Sequence, residues 1–246
     1  MTDTQYTLTI GHLYPKLLNI YGDMGNIITL KRRCEWRNII CDVVDINIGD
    51  EINSDIIDIY FIGGGQDKQQ TEVSQELQKH TEKLTNAANQ GKVFLAICGG
   101  YQLLGKYYLP NEGEKLSGIG ILDAYTVAGN TRFIGNVTAE TDFLEPKTLV
   151  GFENHSGLTY LEEGTEPLAK VLTGNGNNSE DGFEGARKNN VFGTYLHGSV
   201  LPKNPAFADY LIKQALEVKY GHEINLPEID DTIENNTHQS LIGKKY

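Results

Sequence analysis

The run Val93-Phe94-Leu95-Ala96-Ile97, followed at once by Cys98-Gly99-Gly100-Tyr101-Gln102, constrains this chain more than any other stretch. Five apolar residues bounded by turn formers read as a short strand buried on both faces. The two glycines allow a sharp turn that side chains would crowd, and the residues beyond them can start a helix. A cysteine in that turn stands at the C-terminal edge of a sheet. It also stands at a helix N-terminus, where backbone N–H groups and the dipole favour a thiolate. This is the pattern of a nucleophile elbow with cysteine in the place of serine. Taken alone, the same residues also fit a buried and inert cysteine.

Composition narrows the function classes. At 246 residues, with 39% hydrophobic and 22% charged, the chain can bury a sizeable α/β core. A formal net charge of −12 argues against a nucleic acid or an anionic membrane surface as the main partner. Met1 to Gln5 is polar and does not resemble a signal peptide, and no apolar stretch approaches the roughly 20 residues of a membrane span. Cys34, Cys41 and Cys98 form no CxxC pair and are odd in number, which disfavours a disulfide framework. A cytoplasmic location is expected.

Strands are expected at Tyr6–Leu13, Ile39–Ile46, Ile56–Ile62 and Val93–Ile97, and helices at Gly22–Trp36 and Gln69–Gln90. Such alternation implies βαβ units and a parallel sheet. After Gly105 the pattern changes to short strands at Ile119–Val127, Phe133–Thr138, Leu149–Glu153, Leu168–Leu172, Phe183–Arg187 and Val191–Tyr195, which suggests an antiparallel section. Lys203–Tyr220 reads as a helix, and Gly174–Asp181 as a flexible loop without chemistry. The expectation is therefore an α/β fold with a mostly parallel central sheet, one domain over residues 1–221 and a polar tail over 222–246.

A cysteine nucleophile needs a base and oxyanion donors. Of the six histidines, His80 lies in a polar helix and His238 in the tail, so both are expected to be solvated. His197 closes Val191-Phe192-Gly193-Thr194-Tyr195-Leu196-His197-Gly198, a strand whose end would lie beside another strand's C-terminal edge. By position it is the best base for Cys98. Gly63-Gly64-Gly65 follows a buried strand and offers backbone N–H groups, although a plain tight turn fits it equally well. Glu153-x-His155 places two metal-capable side chains on one face of a strand, but without a third ligand a metal site is rejected.

Ala-Ile-Cys98-Gly-Gly-Tyr-Gln102, the Gly63–Gly65 triplet and Gly-Thr-Tyr-Leu-His197-Gly together resemble the class I, triad-type glutamine amidotransferases. Gly-Phe-Glu153-Asn-His155-Ser-Gly157 adds similarity to their cobyric acid synthase-like branch. Tyr21-Gly22-Asp23-Met24-Gly25-Asn26 and Thr131-Arg132-Phe133 most resemble its stand-alone glutaminase subunits that serve lipid II isoglutaminyl synthases. The resemblance extends to about Tyr220 and implies a flavodoxin-like fold. It also implies that Cys98 forms a γ-glutamyl thioester from L-glutamine, with His197 as base and then acid. Oxyanion donors at Gly64 or Gly65 and at Gly99 follow from it, as does substrate binding by Arg132 and Gln102. A guanidinium suits the planar α-carboxylate of glutamine.

Two further expectations follow. Most triad members carry His-Pro-Glu at the base, whereas this chain has His197-Gly198-Ser199, so Cys98 and His197 act as a dyad or another group, with Glu153 a candidate, holds the ring. An isolated subunit is then expected to be a poor glutaminase until a partner aligns its site. The chain also has no Gly-x-x-x-x-Gly-Lys-Ser/Thr phosphate loop, so no cofactor is expected here. By resemblance, ATP is used by a Mur-ligase-like synthetase subunit, in a heterodimer, that handles lipid II and receives the ammonia. A cobyrinate-type acceptor and a non-catalytic binding module of the same fold remain as alternatives.

Overall fold

Apolar runs without a polar face need neighbours on both sides, and this chain supplies them in a parallel sheet. The computed structural model describes residues 5–244, the side chain of Tyr21 excepted. Met1–Thr4, which belong to the polar N-terminal stretch that does not resemble a signal peptide, lie outside the described residues. In chain order the elements are β1 (Thr7–Leu13), α1 (Met24–Glu35), β2 (Ile40–Ile46), β3 (Ile59–Ile62), α2 (Asp67–Lys79), α3 (Thr81–Asn89), β4 (Val93–Ile97) and α4 (Gly99–Leu104). There follow β5 (Tyr107–Leu109), β6 (Leu116–Ser117), β7 (Ala124–Glu140), β8 (Thr148–Leu161), β9 (Ala169–Thr173) and β10 (Phe183–Glu184). The chain continues through β11 (Ala186–Lys188), β12 (Val191–Thr194), α5 (Pro205–Tyr220) and α6 (Thr232–Leu241).

The central sheet has the order β11-β12-β4-β3-β1-β2 and is parallel except for β11. Every residue of β3, β4 and β12 is buried. Val191–Thr194, expected within the antiparallel section, instead runs parallel to β4, with Thr194 opposite Ile97. The ends of β4 and β12 thus open at the same sheet edge. A second sheet, β10-β9-β7-β5-β6 with β8 on β7, carries the expected antiparallel section. Among the described residues, no helix is long and apolar enough to cross a membrane.

Five local expectations are corrected. The single helix expected over Gln69–Gln90 is two, broken at His80, whose N–H bonds Leu77 O and closes α2. His80 is buried, with its imidazole 3.6 Å from Glu76, rather than solvated. The short strands expected at Ile119–Val127, Phe133–Thr138 and Leu149–Glu153 merge into one long hairpin of β7 and β8. Its buried polar side chains pair with one another, as Thr126 does with Thr159 at 2.7 Å, so they cost little inside. Gly174–Asp181 is not a loose loop, because Asn177 and Asn178 are buried in it. Asn177 exchanges side-chain hydrogen bonds with both backbone groups of Gly185, and Asn178 donates to Thr159 O.

His238, in the tail, is the fifth. Helix α6 packs against the domain through this residue, which is buried rather than solvated. His238 Nδ1 donates to Lys203 O at 2.8 Å, so its Nε2 accepts from the Thr148 hydroxyl at 2.8 Å. Nearby, Asn204 stands just before α5 and its side chain ties that entry to β8: its Oδ1 accepts Val150 N–H, and its Nδ2 donates to Val150 O and Val200 O. Asn204→Ala strands these buried groups and is expected to cost about 1–3 kcal/mol. The check is a lower urea midpoint at unchanged slope.

Candidate active site

Cys98 occupies the turn between β4 and α4 with φ 50° and ψ −106°, a strained conformation for a non-glycine residue. Its N–H is tied to Thr194 O of β12 at 2.8 Å. The glycines after it are required by close approach. A Cβ on Gly100 would lie 2.7 Å from Ile62 O, and one on Gly99 would lie 2.5 Å from Gln70 Nε2 and 3.1 Å from Gly65 N. The elbow therefore packs directly on the glycine turn that follows β3.

Electrostatically the site differs from the sequence expectation. The Cys98 thiol is pushed up to about 12, first by burial and then by the carboxylate of Asp23; the Gly99 N–H and Arg132 pull the other way but do not prevail. A six-residue helix N-terminus does not outweigh full burial. Cys98 therefore rests as a thiol, and any attack through its sulfur needs a base to take the proton.

His197 stands three residues past β12 and is 1% exposed. Its N–H donates to Phe152 O at 2.8 Å, and its carbonyl accepts Lys203 Nζ at 3.1 Å. Burial, and then the neighbouring His155, Lys203 and Arg132, push its imidazolium down to about 3. It is thus neutral at physiological pH, as a general base must be. Glu153 is committed elsewhere: its carboxylate accepts from Asn175 N–H, Asn175 Nδ2 and Gly176 N–H at 2.6–3.1 Å, fixing the 174–176 loop.

A cleft of about 420 Å³ brings together Gly65, Cys98, Gln102, Arg132, Asn154 and His155; His197 is not among the residues that line it. Arg132 is placed by a hydrogen bond from its Nε to Asn154 Oδ1 at 2.6 Å. Gln102 donates from Nε2 to Tyr195 OH at 3.1 Å, while its buried Oε1 has no hydrogen-bond partner among the described residues. Of the glycines expected to donate to an oxyanion, Gly64 has its N–H taken by Asp23 Oδ2 at 2.7 Å.

Three residues of the site carry no role in the sequence expectations. His155, weighed only as a metal ligand, stacks on Tyr195 with ring centroids 3.6 Å apart. Its Nδ1 donates to Gly157 O at 2.8 Å, and burial pushes the ring down to about 4, so it is neutral. Gln70 holds the glycine turn by donating to Gly65 O at 3.0 Å. Asp23 reaches Gly64 across 41 positions. The Tyr21–Asn26 motif marks the Asp23 turn but not its contact, and periodicity marks neither of the other two.

Sequence comparison places this geometry among known proteins. The family model for the CobB/CobQ-like glutamine amidotransferase domain matches residues 9–205. The chain is 46% identical over 239 residues to the lipid II isoglutaminyl synthase (glutamine-hydrolyzing) subunit GatD of Staphylococcus aureus, covering 97% of this chain and 96% of that protein. It is 41% identical to the subunit of the same name from Streptococcus pneumoniae, covering 93% and 88%. A cobyric acid synthase of Listeria innocua is 40% identical over 149 residues, or 56% of this chain and 28% of that protein. In fold, the chain is similar to a glutamine amidotransferase of Thermotoga maritima, with a TM-score of 0.54 at 17% identity and coverage of 95% and 93%. A family match that spans both the Cys98 elbow and the β12–His197 edge makes this chain a member of the CobB/CobQ-like glutamine amidotransferases.

Proposed function

We propose that this chain is the cytoplasmic glutaminase subunit of a lipid II isoglutaminyl synthase. The observation that carries this assignment is identity over nearly the full length of both chains with proteins that bear that subunit's name. The cobyric acid synthase match covers only 28% of its counterpart, so a cobyrinate-type acceptor has less support.

In the proposed reaction, His197 takes the Cys98 proton as the sulfur attacks the side-chain carbonyl carbon of L-glutamine. The oxyanion that forms is met by the N–H groups of Gly65 and Gly99. The C–N bond then breaks, His197 returns the proton to nitrogen, ammonia leaves and a γ-glutamyl thioester remains. Water, deprotonated by His197, hydrolyses the thioester to glutamate and restores the thiol. Arg132 binds the α-carboxylate, and Gln102 lines the pocket for the rest of the substrate. The chain itself uses no cofactor. Ammonia passes to a Mur-ligase-like, MurT-type partner, which activates the D-glutamate α-carboxylate of lipid II with ATP.

Glutamate release from glutamine, measured with the chain alone and with the Mur-ligase-like partner, tests this directly. Turnover that rises in the complex is expected; a folded complex that releases no glutamate refutes the assignment. Arg132→Ala is expected to raise KM about 10- to 100-fold, the scale of one hydrogen-bonded charge contact, with kcat changed far less. Steady-state kinetics in the complex separate the two.

A further inference from the structure

The turn that opens α1 carries a carboxylate that neither the proposed reaction nor the fold requires to be charged. Asp23 is fully buried. Its Oδ2 accepts the Gly64 N–H at 2.7 Å, while Oδ1 has no hydrogen-bond partner among the described residues. A buried carboxylate with one oxygen unsatisfied is costly, and this one lies against the reactive centre. A Cβ built on Gly64 would sit 3.4 Å from both Asp23 Oδ2 and the Cys98 Cβ. The same turn braces the far side of the site. Gly22 O accepts the Ser199 hydroxyl at 2.5 Å, and Asn26 Oδ1 accepts Leu201 N–H at 2.9 Å, both just beyond His197.

We propose that Asp23 is a positioning residue of this site: its carboxylate holds the Gly64 N–H, which sets the glycine turn against Cys98, and places an ionisable group across that turn from the Cys98 side chain. With Gly64 held in this way, Gly65 and Gly99 are the donors that face a reacting carbonyl. Burial raises the Asp23 carboxyl to about 7, against the pull of the Gly64 N–H. Above that pH the carboxylate is charged and opposes loss of the thiol proton; below it the carboxyl is neutral. The other charged groups that act on Cys98 are Asp67 from the start of α2, with the same sign, and Arg132 from β7, with the opposite sign.

The kinetic part of this inference rests on the glutaminase assignment; the part that concerns the thiol does not. The experiment compares wild type, Asp23→Asn and Asp23→Ala by the rate of Cys98 alkylation with iodoacetamide from pH 6 to 10, with the modified peptide identified by mass spectrometry. Asparagine keeps an acceptor for Gly64 N–H and loses the charge; alanine loses both. Both variants are expected to alkylate about tenfold faster at pH 8, equivalent to about one pKa unit. In the complex, Asp23→Ala is expected to lose about 100-fold in kcat, the scale of a misplaced oxyanion donor, with little change in KM. Asp23→Asn is expected to recover most of that loss. Circular dichroism and the unfolding midpoint report whether each variant folds, and Asp23→Asn, which keeps the hydrogen bond, decides if Asp23→Ala does not. An Asp23→Asn alkylation profile that superimposes on wild type overturns the electrostatic role. An Asp23→Ala enzyme with undiminished kcat overturns the positioning role. Absence of turnover by the wild-type complex rejects the glutaminase assignment while alkylation still decides on Asp23.

Discussion

Cys98→Ala is expected to reduce glutamate release by roughly 10⁴-fold or more, the scale seen when a covalent nucleophile is removed. No neighbour can substitute for it, because Cys34 and Cys41, also buried, lie on α1 and β2, away from the cleft. The backbone bond from position 98 to Thr194 O does not depend on the side chain, so the elbow should survive. Glutamate assays paired with thermal unfolding check both halves. Turnover near the wild-type rate in a folded Cys98→Ala protein would remove Cys98 from the chemistry.

The largest stability effect is expected at Arg33, on the face of α1 away from the cleft. The residue is 1% exposed, and its guanidinium forms two-point contacts with Asp209 of α5 and with Asp231 at the start of α6, at 2.6–2.7 Å. Burying a guanidinium is costly, and this one is tolerated only because both carboxylates share it. Arg33→Ala leaves Asp231 without its cation beside a void and Asp209 with Arg37 alone, at 2.7 Å, and should destabilise the protein by about 3–5 kcal/mol. Arg33→Lys keeps the charge but cannot meet both carboxylates in their planes, and should fall between alanine and wild type. Urea unfolding of the three proteins gives the order; an alanine variant within about 0.5 kcal/mol of wild type would show that the clamp does not stabilise the fold.

The two halves of the molecule were unequally legible. Central strands pack on both faces, so Ile59–Ile62 and Val93–Ile97 announce themselves as apolar runs, and the glycines after each mark where the sheet edge opens. This is why the turn that carries Cys98 and the glycine triplet beside it are legible in the sequence, whereas the parallel run of the strand before His197 is not. In β7 and β8, polar residues face inward and satisfy one another, as Thr126, Thr159 and Tyr195 do, so alternation is broken and the strands looked shorter. His80 and His238 sit among polar sequence neighbours, yet His238 is buried by Thr148 and Lys203, 90 and 35 positions away. The preference of a helix N-terminus for thiolate is a local property, whereas the burial that outweighs it at Cys98 is set by the whole fold. No local pattern could have paired Asp23 with Gly64.

The long hairpin has one irregularity: Ala128 is opposite Gly157 and Phe133 is opposite His155, so residues 129–132 span what Ser156 spans alone on β8. Arg132 projects from this slack. Because the ladder is in register on both sides of it, the segment can lengthen, shorten or change composition without slipping either strand or turning His155 out of its face. Evolution therefore has a tunable insertion point at the cleft, where one amidotransferase scaffold could be refitted to new regulatory demands while its nucleophile edge stays untouched.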